Sequence, residues 1–242
     1  MNFGSPFLHK ITANAGQFTA DRYPFNIPAF SNGIDIRLDA KVTMLVGENG
    51  SGKSTLLEAL AECCGFDPEG GNQDHFRESF ADRSELAQAL SLSWKPRTTE
   101  GFFLRAESFF NFATHIESVS NLRAYGGKSL HQQSHGESFL SLFENRFEQG
   151  FYILDEPEAA LSPQRQLTFM SIINQLEVPS HAQFIIATHS PILLSYPGAK
   201  VISFDDGKIE EIDYKDSSHY QLTKSFLDAP ERYFRWLFDN DE

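Results

Sequence analysis

The stretch "KVTMLVGENGSGKSTLLEALAE", residues 41–62, decides the fold. Val42 to Val46 is a short continuous apolar run, as expected of a strand covered on both faces. From Gly52 to about Glu62 the pattern turns helical, with Leu56, Leu57 and Leu60 on one side. Between the two, Gly47, Gly52, Lys53 and Ser54 meet the spacing G-x-x-x-x-G-K-[ST], and Thr55 follows. Glycines let backbone N–H groups turn inward toward phosphate oxygens, and the helix start adds its positive end. On this reading Gly47, Glu48, Asn49, Gly50, Ser51, Gly52, Lys53, Ser54 and Thr55 form a loop that binds ATP. Lys53 reaches the β- and γ-phosphates and the Ser54 hydroxyl ligates Mg²⁺. An ordinary glycine-rich turn would not need a strand before it and an amphipathic helix after it.

Two further apolar runs end in chemistry. "FYILDEPEAAL" (151–161) places Asp155 and Glu156 at the carboxyl end of a strand, where ligands sit in open α/β sheets. An Asp there holds Mg²⁺, and the adjacent Glu can orient and deprotonate a water attacking the γ-phosphate. "FIIATHSP" (184–191) repeats the design, with His189 placed to hydrogen-bond the γ-phosphate. Glu156 and His189 are 33 residues apart, room for one crossover helix and the neighbouring strand.

The rest of the chain fits a single α/β domain, residues 1–242, with a mainly parallel sheet. "GIDIRL" alternates Ile34, Ile36 and Leu38 as a half-buried strand does, and belongs to N-terminal antiparallel strands. Residues 65–148 form a mixed segment, a small helical lobe inserted in the core, with helical "SELAQALSL" and "ESFLSLFENRF" around one strand-like run, "GFFLRAE". The segment "CCGFDPEGGNQDHFRES" reads as a loop, and "KVISFDD" as a late strand. Residues 215–242 form two short helices broken near Pro230, with an aromatic face that should lie against the sheet.

Composition narrows the setting. The 23 Phe imply an aromatic core or partner surface, and a net charge of −13 gives direct nucleic-acid binding no support. Adjacent Cys63 and Cys64 suit a reduced compartment, and no stretch approaches a membrane span or a secretory leader. A cytoplasmic protein is expected.

Taken in order, these elements resemble the ABC-type P-loop ATPases. Within them the chain looks like the single-domain branch related to chromosome-maintenance, RecF-like and phage-exclusion (OLD-like) ATPases. The resemblance covers about residues 34–205, and the phosphate loop and "ILDEP" carry it most specifically. The family has a signature, typically Leu-Ser-Gly-Gly-Gln, about 20 residues before the acidic strand. Here "QSHGES" supplies Ser134, His135, Gly136 and Glu137. The resemblance implies that these residues cap the γ-phosphate held by a second copy, so that a head-to-tail homodimer sandwiches two ATP molecules. An ordinary helix cap, Ser134 with Glu137 as a capping box, explains the same residues.

The chain departs from the family pattern in three places. His135 replaces the first glycine of the signature pair, "ALSPQRQ" stands in the usual inter-site loop, and the family's Mg²⁺-contacting glutamine has no clear counterpart. Glu107 lies where that glutamine would be, and is a candidate metal ligand. The resemblance also implies an aromatic stacked on the adenine, for which Tyr23 is the candidate, against a core role. His131 and His135, four apart, lack further nearby ligands, so no metal beyond Mg²⁺ is expected. Three functions compete: a soluble ATPase that switches an unknown protein partner through dimerisation, a transporter's nucleotide-binding subunit, and a regulatory module with little turnover.

Overall fold

The computed structural model describes residues 6–17, 21–67, 83–95, 97–106, 109, 135–146, 149–178 and 182–238. In chain order they form β1 (Leu8–Ala13), β2 (Ile34–Arg37), β3 (Val42–Val46), α1 (Lys53–Cys64), α2 (Glu85–Ala89), β4 (Ser91–Trp94) and β5 (Gly101–Arg105). There follow α3 (His135–Arg146), β6 (Gly150–Asp155), α4 (Pro163–Glu177), β7 (Ala182–Ala187), α5 (Pro191–Leu194), β8 (Lys200–Ser203), β9 (Glu210–Ile212), α6 (Ser218–Asp228) and α7 (Pro230–Phe238). The main sheet runs β5-β6-β7-β3-β8-β9, parallel except for the β9 edge. A second, antiparallel sheet of three strands runs β2-β1-β4.

The apolar runs read from sequence are the central strands, and the period of two divides their side chains between two cores. Val42, Met44 and Val46 of β3 join Tyr152 and Leu154 of β6 and Phe184 and Ile186 of β7 on one face. There Phe139 and Phe143 of α3 meet Phe169 of α4, with ring centroids 4.9 Å apart for Phe143 and Phe169. Leu45, Ile153 and Ile185 point the other way, into a core with Leu56, Leu57 and Leu60 of α1 and Leu8, Ile11 and Ile36 of the small sheet. Fully burying each such side chain contributes about 1.5–3 kcal/mol, which is why the run pattern outweighs local propensity.

Gln183 of β7 joins the two sheets. Its side chain is fully buried, and Oε1 accepts the N–H groups of Phe7 and Leu8 at 2.7 and 2.9 Å. Its Nε2 donates to Leu8 O at 2.8 Å.

Three expectations fail. "SELAQALSL" is helical only over Glu85–Ala89; Ser91–Trp94 leaves the helix and pairs with β1, because sheet pairing and the contact of Trp94 with Phe151 outweigh helix propensity. The C-terminal aromatic face does not lie against the sheet: no residue of α6 or α7 is buried, and Trp236 is 80% exposed. Cys63 and Cys64, read as the start of a loop, instead finish α1, which Gly65 ends in a left-handed cap, φ 78°.

Candidate nucleotide site

The site lies at the carboxyl ends of β3, β6, β7 and β8, which are hydrogen-bonded neighbours in the main sheet. After β3 the chain turns through Gly47, Gly50 and Gly52, with φ of 151°, 78° and 107°. At Gly52 a Cβ would come within 2.9 Å of the Phe30 ring, so this glycine serves both the turn and close contact with the core. Lys53 opens α1 and is only 4% exposed. Its Nζ donates to Gly47 O at 2.6 Å and Glu48 O at 3.0 Å. Burial pulls its pKa down, while Glu156, Asp155 and Asp205 push it back up.

Strand β6 delivers the acidic pair. Asp155 is nearly fully buried, and its Oδ1 accepts the Ser54 hydroxyl at 3.1 Å. Arg105, at the end of neighbouring β5, donates from Nε to Asp155 Oδ2 at 3.1 Å and pairs with Glu58 of α1. Burial raises the Asp155 pKa; the Arg105 and Ser54 bonds oppose that rise. Glu156 follows in the left-handed region, φ 51° and ψ 51°, which a non-glycine residue enters at some cost. Its N–H donates to Ala187 O at 2.9 Å, fixing the turn to β7.

At the end of β7 the backbone N–H of His189 donates to Glu158 Oε1 at 2.6 Å. Its ring is bracketed: Nδ1 lies 2.8 Å from His219 Nε2, and Nε2 lies 3.2 Å from Glu156 Oε1. That second approach lacks hydrogen-bond alignment, so Nε2 is buried without a partner among the described residues. Burial, then Lys53 and His219, lower the His189 pKa, so the ring is neutral at pH 7. Asp205, just past β8, accepts the Glu48 N–H at 2.9 Å and so ties the phosphate loop to the strand neighbouring β3.

Thus Lys53, Ser54, Asp155, Glu156 and His189 come together from three strand ends. Tyr23 also arrives nearby: its hydroxyl is 3.2 Å from Thr55 Oγ1, with the side chain 62% exposed. Gly136 and Glu137 stand at the start of α3, against Ala160 and Arg165. Glu137 pairs with Arg165 of α4 at 3.1 Å, and a Cβ on Gly136 would lie 2.5 Å from Arg165 Nη1. Ser134, Glu107 and His131 lie outside the described residues, as does the side chain of His135. Sequence reading missed Arg105, Glu158, Asp205 and His219. The first three stand within a few residues of a strand end and His219 opens a late helix, but only tertiary structure shows which neighbour each meets.

The donors fit a Mg²⁺-bound triphosphate. A hydroxyl and a carboxylate, Ser54 and Asp155, are hard oxygen ligands held side by side, as Mg²⁺ prefers. Beside them stand an ammonium and the N-terminus of a 12-residue helix, both suited to phosphate.

Comparison with known proteins agrees with this geometry. A family model described as an AAA domain matches residues 25–149, and a second AAA-domain model, named for the AbiEii toxin of type IV TA systems, matches 138–195. The tungstate uptake system ATP-binding protein TupC of Campylobacter jejuni is 24% identical over 205 residues. That match takes in 78% of this chain but 60% of TupC, so the chain spans less than two thirds of that relative. The DNA replication and repair protein RecF of Chlorobaculum parvum is 27% identical over 89 residues, 32% of this chain and 24% of RecF. Among solved structures, CbiO1 of Clostridium perfringens, part of an ABC transporter complex, superposes with a TM-score of 0.51 at 17% identity, covering 93% of this chain and 97% of that one. With its phosphate loop, acidic strand end and parallel sheet, the chain belongs to the AAA-domain family and has the P-loop ATPase fold that ABC-type ATP-binding proteins share.

Proposed function

We propose that this chain hydrolyses ATP with Mg²⁺ and pairs head to tail with a second copy around two ATP molecules, so switching a protein partner. The observation that carries the reading is the convergence of Glu156 and His189, 3.2 Å apart, on the strand ends beside Lys53 and the Ser54–Asp155 pair. Ser54 and Asp155 would hold Mg²⁺, which neutralises charge on the β- and γ-phosphates. The loop from Gly47 to Thr55 binds the phosphates through backbone N–H groups, and Lys53 adds its charge. Glu156 takes the proton of the attacking water. Neutral His189 donates from Nε2 to the γ-phosphate. Tyr23, next to Thr55, would stack on the adenine, and Glu107 would stand near Mg²⁺. Ser134, His135, Gly136 and Glu137 would complete the site of the other copy, within a lobe spanning about 65–148 of a single domain, 1–242.

A cytoplasmic setting suits this reading, and the charge of −13 argues against DNA as the direct partner. The likeness to TupC favours a second reading, the ATP-binding subunit of a transporter. No helix among the described residues is long and apolar enough to cross a membrane, so such a role would need separate membrane chains.

The test is Glu156→Gln. ATP should still bind, turnover should fall by roughly a hundredfold or more, and light scattering should show a dimer only with Mg·ATP. Wild-type turnover in this variant would remove Glu156 as the base. A variant that binds ATP yet stays monomeric would sink the homodimer and turn the search toward a heteromeric partner.

A further inference from the structure

We propose that His219 is a positioning residue for His189, donating to its Nδ1 and so holding the proton of that ring on Nε2. The proposal rests on His189 as the group that meets the γ-phosphate. The two rings approach edge to edge, with Nδ1 of His189 and Nε2 of His219 2.8 Å apart and the centroids 4.7 Å apart. Two imidazole nitrogens at that distance share one hydrogen bond, and either ring can be the donor. Glu156 decides between them. If His189 donated from Nδ1, its bare Nε2 lone pair would face Glu156 Oε1 at 3.2 Å, lone pair against carboxylate. If His219 donates, His189 presents Nε2–H to the carboxylate oxygen, and the contact becomes attractive.

Among the described residues, Ser218 and Lys53 also bear on the pair. Ser218 Oγ donates to Asp205 Oδ2 at 3.2 Å and so turns a lone pair toward His219 Nδ1 at 3.3 Å; a bare Nδ1 against that neutral hydroxyl costs less than a bare Nε2 of His189 against the Glu156 carboxylate at 3.2 Å. Burial, then the positive charge of Lys53, keep the His189 ring neutral and leave its tautomer to His219 on one side and the Glu156 carboxylate on the other. The arrangement has the logic of any oriented histidine: the bond made by one nitrogen sets what the other can do.

His219 is not in the nucleotide loop or at a strand end. It is the second residue of α6, so the bond ties the C-terminal helices to the nucleotide site. The same helix start is held at a second point, where Ser218 reaches Asp205 and Asp205 accepts the Glu48 N–H of the phosphate loop. A helix pair with no buried residue thus has its N-terminus fixed to two parts of the site. The geometry makes His219 a positioning group, because it touches His189 and not the reacting atoms.

The test compares full-length wild type, His219→Phe and His219→Gln. Phe keeps a ring without a donor; Gln can place an amide N–H near Nδ1. Long-range ¹⁵N NMR of the imidazoles at pH 7.5, without nucleotide, should show wild-type His189 as the Nε2–H tautomer with Nδ1 hydrogen-bonded. His219→Phe should move the His189 Nδ1 signal and average the tautomers, and His219→Gln should restore the wild-type pattern. In ATP turnover, His219→Phe should lose roughly tenfold in kcat with KM little changed, and His219→Gln should recover most of it. A wild-type His189 protonated on Nδ1 would overturn the proposal, as would unmoved His189 signals or unchanged kcat in His219→Phe. Equal loss in the Gln and Phe variants would overturn the donor role too. Wild type and Gln keep the test decisive if the Phe variant does not fold. A wild type without turnover would refute ATP hydrolysis instead, and the NMR result would still judge His219.

Discussion

Replacing Gln183 by Leu should cost this protein about 3–5 kcal/mol of stability. The side chain is fully buried and makes three bonds to the first strand, to Phe7 N, Leu8 N and Leu8 O at 2.7, 2.9 and 2.8 Å. Leu has similar bulk but can make none of them. Two buried N–H groups and one carbonyl lose a partner, each at about 1–3 kcal/mol, and the gain from burying Leu instead of an amide offsets about 1–2. The loss is a large share of the roughly 5–15 kcal/mol that a domain has. In urea, where a slope of about 2–3 kcal/mol/M suits this size, the midpoint should fall by roughly 1–2 M without a change in slope. Gln183→Glu keeps the oxygen that accepts both N–H groups but sets a carboxylate oxygen against Leu8 O; it should be as unstable at pH 7 and recover as acid protonates it. A midpoint for Gln183→Leu within about 0.3 M of wild type would refute the view that this amide joins the two sheets.

Arg105→Leu should destabilise by roughly 2–4 kcal/mol, since it strips the cation from buried Asp155 and from Glu58. Added Mg²⁺ should raise the melting temperature of this variant more than that of wild type, and an equal rise would contradict the charge argument. Burial depresses the His189 pKa below its ordinary value of 6.5, so between the two values the unfolded chain binds more protons. The His189 contribution is complete above 6.5 and lost as pH falls below it; His189→Gln should flatten the stability curve there, and identical slopes would deny it.

The sequence by itself determined the strand–loop–helix of residues 42–64, the acidic end of β6 and the crossover to His189, because each is a local pattern of fixed period and spacing. It also placed the break between the last two helices at Pro230. It misread Ser91–Trp94, whose strand exists only because β1 lies alongside, and it covered an aromatic helix face that the chain leaves exposed. The partners of the site residues were decided in three dimensions. Arg105 meets Asp155 because β5 and β6 are neighbours in register, and His219 meets His189 across 30 residues because α6 begins beside the end of β7. A side chain's type fixes what bonds it can make, but only sheet order and crossing paths decide which charge stands beside it. The tautomer of one histidine, the pKa of one aspartate and the union of two sheets through one amide therefore belong to the tertiary structure.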